Sequence, residues 1–276
     1  GHDGKSNALH CESNSPLAIR YAYQSVLERH HLASAFEILA CDNCNILHSL
    51  PLERRRAVRD LVVGMVLATD FGEHTRVLAD FQSLLDREME VSTVGPSGHL
   101  SGRESSASRS SAQQAAMPAR RARARAEASP AAPLFCSLPD FGLDVSAEGN
   151  VGAVAREQYL GERLTILQVV LKAADLANLA KELHYCLAFT DRVLEEFWQQ
   201  GDDKKQLGLP VSAGFDRERV DAAAAEQLAF VRFAVYPLFE ALDKLVPLSA
   251  QLERLDGLIS RWEGIVLAMD AVSSDG

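Results

Sequence analysis

The sequence is poor in several things, and each shortage excludes something. Of 276 residues only five are cysteine. They have no framework spacing and are odd in number, so they do not form a disulfide scaffold and favour a reducing compartment. Cys41-Asp-Asn-Cys44 has a zinc-like interval, but no second pair of Cys or His completes a site. No apolar run approaches the ~20 residues needed to span a bilayer, and no signal peptide is visible. There is no excess of basic charge: the formal net charge is −10, which does not suit a nucleic-acid binder. No strand-like alternation and no internal repeat appears. What remains is ample core material, with 47% hydrophobic residues.

The charge is uneven. Residues 97–134 hold six Arg (103, 109, 120, 121, 123, 125) and two Glu (104, 127), a local charge of +4 that leaves −14 on the rest. The Arg120–Arg125 cluster invites a nuclear-localisation or RNA-binding reading, against which stands a solvated linker. The linker reading is favoured because the apolar pattern collapses from about Val94 to Asn150. That stretch is Gly-, Ser-, Ala- and Pro-rich and cannot bury enough apolar surface to offset its ordering entropy. Residues 94–150 are therefore expected to form a long disordered insertion within one domain. Such an insertion costs little, because closure entropy grows only logarithmically with length.

Elsewhere the apolar residues recur at three- and four-residue intervals. Helices are expected over Ser25–Leu39, Leu52–Leu67 and Leu78–Met89. They resume near Ala155 and run to about Met269, with breaks at Gly201–Gly214 and Pro247. The fold class is all-α.

One stretch carries chemistry. Asp175 sits in the apolar run Leu171-Lys-Ala-Ala-Asp175-Leu-Ala-Asn178, where a charge is costly unless a cation or donor answers it. Asn178 is three residues on and shares its face, as Phe230 shares the face of Gln227. A carboxylate, two carboxamides and an aromatic aimed inward from helices describe a metal-assisted pocket for a flat, hydrogen-bonding ring.

These segments resemble the catalytic domain of the class I 3',5'-cyclic nucleotide phosphodiesterases. The similarity lies in His2-Asp-Gly-Lys-Ser-Asn7, Ser15–Tyr21, Ser25–Ala33, Ala68-Thr-Asp-Phe-Gly-Glu-His74, Lys172-Ala-Ala-Asp-Leu-Ala-Asn178, Thr190–Phe197, Gln200-Gly-Asp202, Gln227-Leu-Ala-Phe230 and Pro237–Phe239. They occur in the family's order and cover residues 1 to about 90 and about 156 to 268. The resemblance implies a compact multi-helix (HD-type) domain. It also implies two divalent ions, zinc with magnesium or manganese, and hydrolysis of cyclic AMP, cyclic GMP or both to 5'-monophosphates in signal transduction.

Residue by residue, it implies Asp175 as metal ligand and His2 as a hydrogen-bonding group near the second metal. Asp70 and Glu28 resemble carboxylates that hold metal-bound waters or orient a histidine; His30 and His31 are structural. Gln227 recognises the base edge, Phe230 and Val193 sandwich the purine, with Phe189 and Phe197 four residues to either side of Val193, and Asn178 touches the ring. The departures are Leu179 where Pro is usual, Phe189 where Trp is common and Ala229 where Gly is common. They leave the choice between adenine and guanine open.

In the family pattern His-Asp-x-x-His-x-Gly-x-x-Asn, only the second half is matched, by His2-x-Gly4-x-x-Asn7. The expectation is a single domain over 1–276 that lacks its N-terminal helices and is inactive alone. Its apolar face around residues 15–70 should then be uncovered. The partner is a cyclic nucleotide. The location is cytoplasmic, or at a membrane through an N-terminal region outside the chain, and oligomeric state is not legible. The competing readings are a catalytically degenerate cyclic-nucleotide-binding or regulatory module, and a helical scaffold with a vestigial pocket.

Overall fold

The computed structural model describes residues 2–93 and 153–274. The expected insertion at 94–150, with its arginine cluster, lies outside the described residues. Among those described there is no strand, and the all-α expectation is met. Among the described residues no helix is long and apolar enough to cross a membrane.

Three N-terminal helices are set by capping chemistry: α1 (Asn7–Glu12), α2 (Pro16–Arg20) and α3 (Val26–Ala40). Ser6 Oγ accepts from the Leu9 amide at 3.3 Å. Ser15 Oγ accepts from Ala18 at 3.1 Å, with Pro16 just inside the helix, where its missing N–H costs nothing. Both α1 and α2 end in a left-handed residue. In α2 it is Ala22, φ 54°, and the Tyr23 amide reaches back to Ala18 O at 2.8 Å. This is the reversal usually given to glycine, and it costs an alanine roughly 1 kcal/mol. Tyr23 and Ser25 are left-handed as well.

Helix α4 (Leu52–Leu67) and α5 (His74–Thr93) follow, and both pack on α6 (Ala153–Asp175). The α4–α6 approach is close: a Cβ on Gly64 would lie 2.9 Å from the Leu164 side chain, and Gln168 Nε2 donates to Gly64 O at 3.0 Å. A 3-10 turn at Ala177–Ala180 leads to α7 (Leu183–Gln206). This helix runs through Gly201, where the sequence pattern suggests a break. Gly201 is there for proximity instead: a Cβ would stand 1.8 Å from the Phe215 carbonyl oxygen. The helix ends at Gln206, two residues before Gly208, φ 67°. There the Gly208 and Leu209 amides bond back to Lys205 O and Lys204 O at 3.2 and 2.9 Å, the paired closure that ends helices at left-handed glycine.

Helix α8 (Val220–Phe230) runs into a widened π-turn over Val231–Val235 and then α9 (Tyr236–Asp243). The Tyr236 amide reaches back five residues to Val231 O. Pro237 follows, and it has no N–H for an ordinary helical bond. Helix α10 (Ser249–Ser274) closes the bundle against α8 and α9.

The core is continuous across α5, α6, α9 and α10. Val77, Phe81, Val169, Val231, Val235, Leu238 and Leu255 have no measurable exposure. Full burial of a side chain such as Phe81 contributes about 2–3 kcal/mol. The N-terminal region differs: α4 buries no side chain fully. Ile19, Tyr23, Ile38, Ile46 and Leu52 are all exposed, from 48% to 80%.

Candidate functional site

The charge buried in the run before Asp175 is not Asp175. That residue ends α6 and is exposed. The buried group is Lys172, 2% exposed. Its Nζ donates to the carbonyls of Ala68 (2.9 Å), Thr69 (3.3 Å) and Asp70 (3.1 Å). Those oxygens end α4, where the helix dipole is negative, so a cation is favoured there. Burial pulls the Lys172 pKa down, while Asp175, Asp70, Glu28 and Glu73 pull it up. Three of the expected carboxylates thus act electrostatically on one ammonium, although they come from α6, the α4–α5 link and α3. Sequence periodicity passed over Lys172. The available signal was a lysine inside Val169-Val-Leu-Lys-Ala-Ala174, where nothing polar flanks it.

Each carboxylate is held. Asp70 Oδ2 accepts from Ser25 Oγ at 2.7 Å, and its Oδ1 accepts from the Gly72 amide at 2.9 Å. Glu28 Oε2 accepts from Asn7 Nδ2 at 2.8 Å, while Asn7 Oδ1 takes the Leu27 amide at 2.9 Å. His2 stacks near His31, ring centroids 5.9 Å apart. Burial, then the neighbouring His2, depress the His31 pKa, and Glu28 opposes them. The N-terminal segment is seated on α7, since the Ser6 amide donates to the buried Gln200 Oε1 at 2.9 Å and Lys204 pairs with Glu12 at 2.9 Å.

An aromatic wall joins the charged group to the helix that carries Gln227 and Phe230. Phe71 lies 5.1 Å from His74 and 5.4 Å from Phe230, centroid to centroid, and the Lys172 ammonium is 5.8 Å from its ring. His74 is 6% exposed. Burial, then Lys172, lower its pKa, with the Ala234 carbonyl opposing weakly. One turn before Phe230, Gln227 is 8% exposed. No described residue hydrogen-bonds its carboxamide, and its polar atoms are not among those sealed from solvent without a partner, so they stay open to a ligand edge.

The remaining expected residues are placed less closely. Val193 is half-buried on α7. Phe197 stacks on Phe215 at 4.6 Å rather than standing free. Asn178 lies in the 3-10 turn after α6 and, with Phe189, lines a separate surface recess. No three His, Cys, Asp or Glu side chains among the described residues stand close enough to hold a metal ion. The Cys41–Cys44 pair is exposed and, like the other described cysteines, free.

The family profile described as 3'5'-cyclic nucleotide phosphodiesterase matches residues 1–256. The chain belongs to that family. Among curated relatives, the probable 3',5'-cyclic-AMP phosphodiesterase pde-4 of Caenorhabditis elegans is 30% identical over 91% of this chain and 28% of its own length. The 3',5'-cyclic-AMP phosphodiesterase 4C of Rattus norvegicus is 28% identical over 93% of this chain and 37% of its own. The chain therefore spans roughly a third of the phosphodiesterases it matches. In fold it is similar to the phosphodiesterase domain of Salpingoeca rosetta rhodopsin phosphodiesterase, with a TM-score of 0.69 at 22% identity. That match covers 99% of this chain and 64% of the other.

Proposed function

We propose that this chain supplies the nucleotide-binding side of a metal-dependent hydrolase acting on cyclic AMP, cyclic GMP or both. The observation that carries the reading is the seating of Lys172 on the carbonyls that end with Asp70, beside Phe71, which in turn meets Phe230 on the helix that carries Gln227. The named activity of the curated relatives supports the same substrate class.

Asp175 fits a hard divalent cation in chemistry and exposure, but it makes only part of a cage. The other direct ligands then come from outside the described residues. Two bound ions, zinc with magnesium or manganese, would supply positive charge at the phosphodiester and acidify water towards neutrality. This chain's own residues do the rest. Asp175 holds an ion. Asp70, fixed by Ser25 and Gly72, and Glu28, fixed by Asn7, orient water or a histidine, with His2 beside them. Gln227 pairs with the base edge, Phe230 and Val193 hold the ring, and Asn178 approaches it from the 3-10 turn. The 276 residues alone bind nucleotide without turning it over, because one carboxylate cannot keep two ions in place.

The test is calorimetric titration of the purified chain with cyclic AMP and with cyclic GMP, alongside a turnover assay with added zinc and magnesium. Saturable binding that Gln227→Ala weakens by about tenfold or more is expected, the penalty of losing a bidentate edge. Turnover lost in Asp175→Ala would correct the inactivity and keep the function. Absence of both binding and turnover would sink the reading.

A further inference from the structure

The recess touched by Asn178 is not accounted for by the site above. Its volume is about 520 Å³, within the range of small-molecule sites. Its floor follows one face of α7, since Tyr185, Phe189 and Arg192 recur at intervals of four and three. The buried residues of that helix segment, Cys186 and Thr190, point elsewhere. Lys181 enters from the link before α7, and Arg254 enters from α10.

The lining is unusual for this molecule. In a chain of net charge −10, the recess gathers three cations against one carboxylate, Glu182. Arg254 donates weakly to the Ala180 carbonyl at 3.4 Å. The side chains of Lys181 and Arg192 have no ion-pair or hydrogen-bond partner among the described residues. Glu182 faces His184 at 3.7 Å. Between the cations stand two large aromatics left open to solvent: Tyr185 is 60% and Phe189 47% exposed.

We propose that this recess is a binding site for a small aromatic phosphate. Its net charge of +2 matches a phosphate dianion, and the guanidinium fork suits two phosphate oxygens. Tyr185 and Phe189 offer ring faces one helical turn apart, on which a flat group stacks. Of the residues assigned to cyclic nucleotide in the proposed function, only Asn178 borders the recess. Gln227, Phe230, Asp70 and Asp175 take no part in it.

Phenyl phosphate is the probe, because it carries both halves of the chemistry without a purine edge for Gln227. Titration of the full chain by calorimetry at low ionic strength should show one saturable site. Phenol and inorganic phosphate should each bind at least about tenfold more weakly, since each keeps only half the contacts. Arg192→Gln should weaken phenyl phosphate about tenfold, the usual effect of deleting a charged hydrogen bond. Phe189→Leu should also weaken it, whereas Glu182→Gln should tighten it by removing a like charge. Gln227→Ala should leave it unchanged. Arg192 has no structural partner, so its variant should melt with the parent, and a shared melting curve confirms that folding is not the cause. Three results would overturn the proposal: no saturable binding, inorganic phosphate binding as tightly as phenyl phosphate, or loss in Gln227→Ala with Arg192→Gln unaffected.

Discussion

Lys172 crosses from α6 to donate to the backbone carbonyl of Asp70 at 3.1 Å. The acid at the candidate site therefore depends on a buried base 102 residues away in the chain.

Replacing that base tests the dependence. In Lys172→Met the carbonyls of Ala68, Thr69 and Asp70 lose their common donor. The Met side chain avoids the cost of burying an ammonium, but the oxygens stay where they are. The second effect wins, with a net destabilisation of about 2–3 kcal/mol in urea unfolding. An unchanged midpoint would mean that water replaces the ammonium.

Gly201→Ala should be among the more damaging substitutions. The new methyl would meet a backbone oxygen at 1.8 Å, and backbone cannot rotate away. The better helix propensity of alanine returns under about 1 kcal/mol. A net loss of about 2–3 kcal/mol is expected by chemical denaturation. A neutral result would show that the Ala213–Phe215 turn can lift off α7.

Ala22→Gly should stabilise. At φ 54° glycine relieves the left-handed penalty, and its extra freedom in the unfolded chain returns only part of the gain. A rise of about 0.5–1 kcal/mol, read as a higher melting temperature, is expected. A lower melting temperature would show that the Ala22 methyl packs favourably.

His74 gives the molecule an acid sensitivity. Its folded pKa lies below its ordinary 6.5 because of burial, then Lys172. Between the two values the unfolded state binds more protons, so stability rises with pH. The contribution is complete above 6.5 and fades as pH falls through the lower folded value. His31, also depressed by burial, acts with the same sign. The difference in unfolding free energy between the parent and His74→Leu should therefore shift against the parent from about pH 7.5 to about pH 5. A constant difference would contradict a buried neutral imidazole.

Much of the fold was legible because helical period survives in α3 and α4 almost to the residue, while α5 (His74–Thr93) extends four residues past the expected Leu78–Met89 at each end. The observed Val26–Ala40 and Leu52–Leu67 follow the expected spans closely. The errors came where one residue answers to a distant one. Gly201 reads as a breaker but yields to the Phe215 carbonyl, a contact that no window of sequence contains. Asp175 reads as the buried charge because acids are conspicuous in apolar runs. A lysine three residues earlier could reach the carbonyls ending α4 and be buried instead. Gln227 and Phe230 fall on one helix, α8, as their spacing implies. The recess beside Arg192 was not, because Arg254 joins it only after α10 folds back.

The π-turn at Val231–Val235 lets one continuous rod keep two clocks. A single extra residue advances everything beyond it by about 100° relative to a uniform α-helix. Leu238 and Phe239 can then face the core while Gln227 and Phe230 keep the heading the candidate site needs. Deleting one residue there would leave the rod intact and its composition nearly unchanged. It would nevertheless make the chain choose between the present heading of Gln227 and the filling of its centre, so the proposed recognition and the folding meet at one surplus residue.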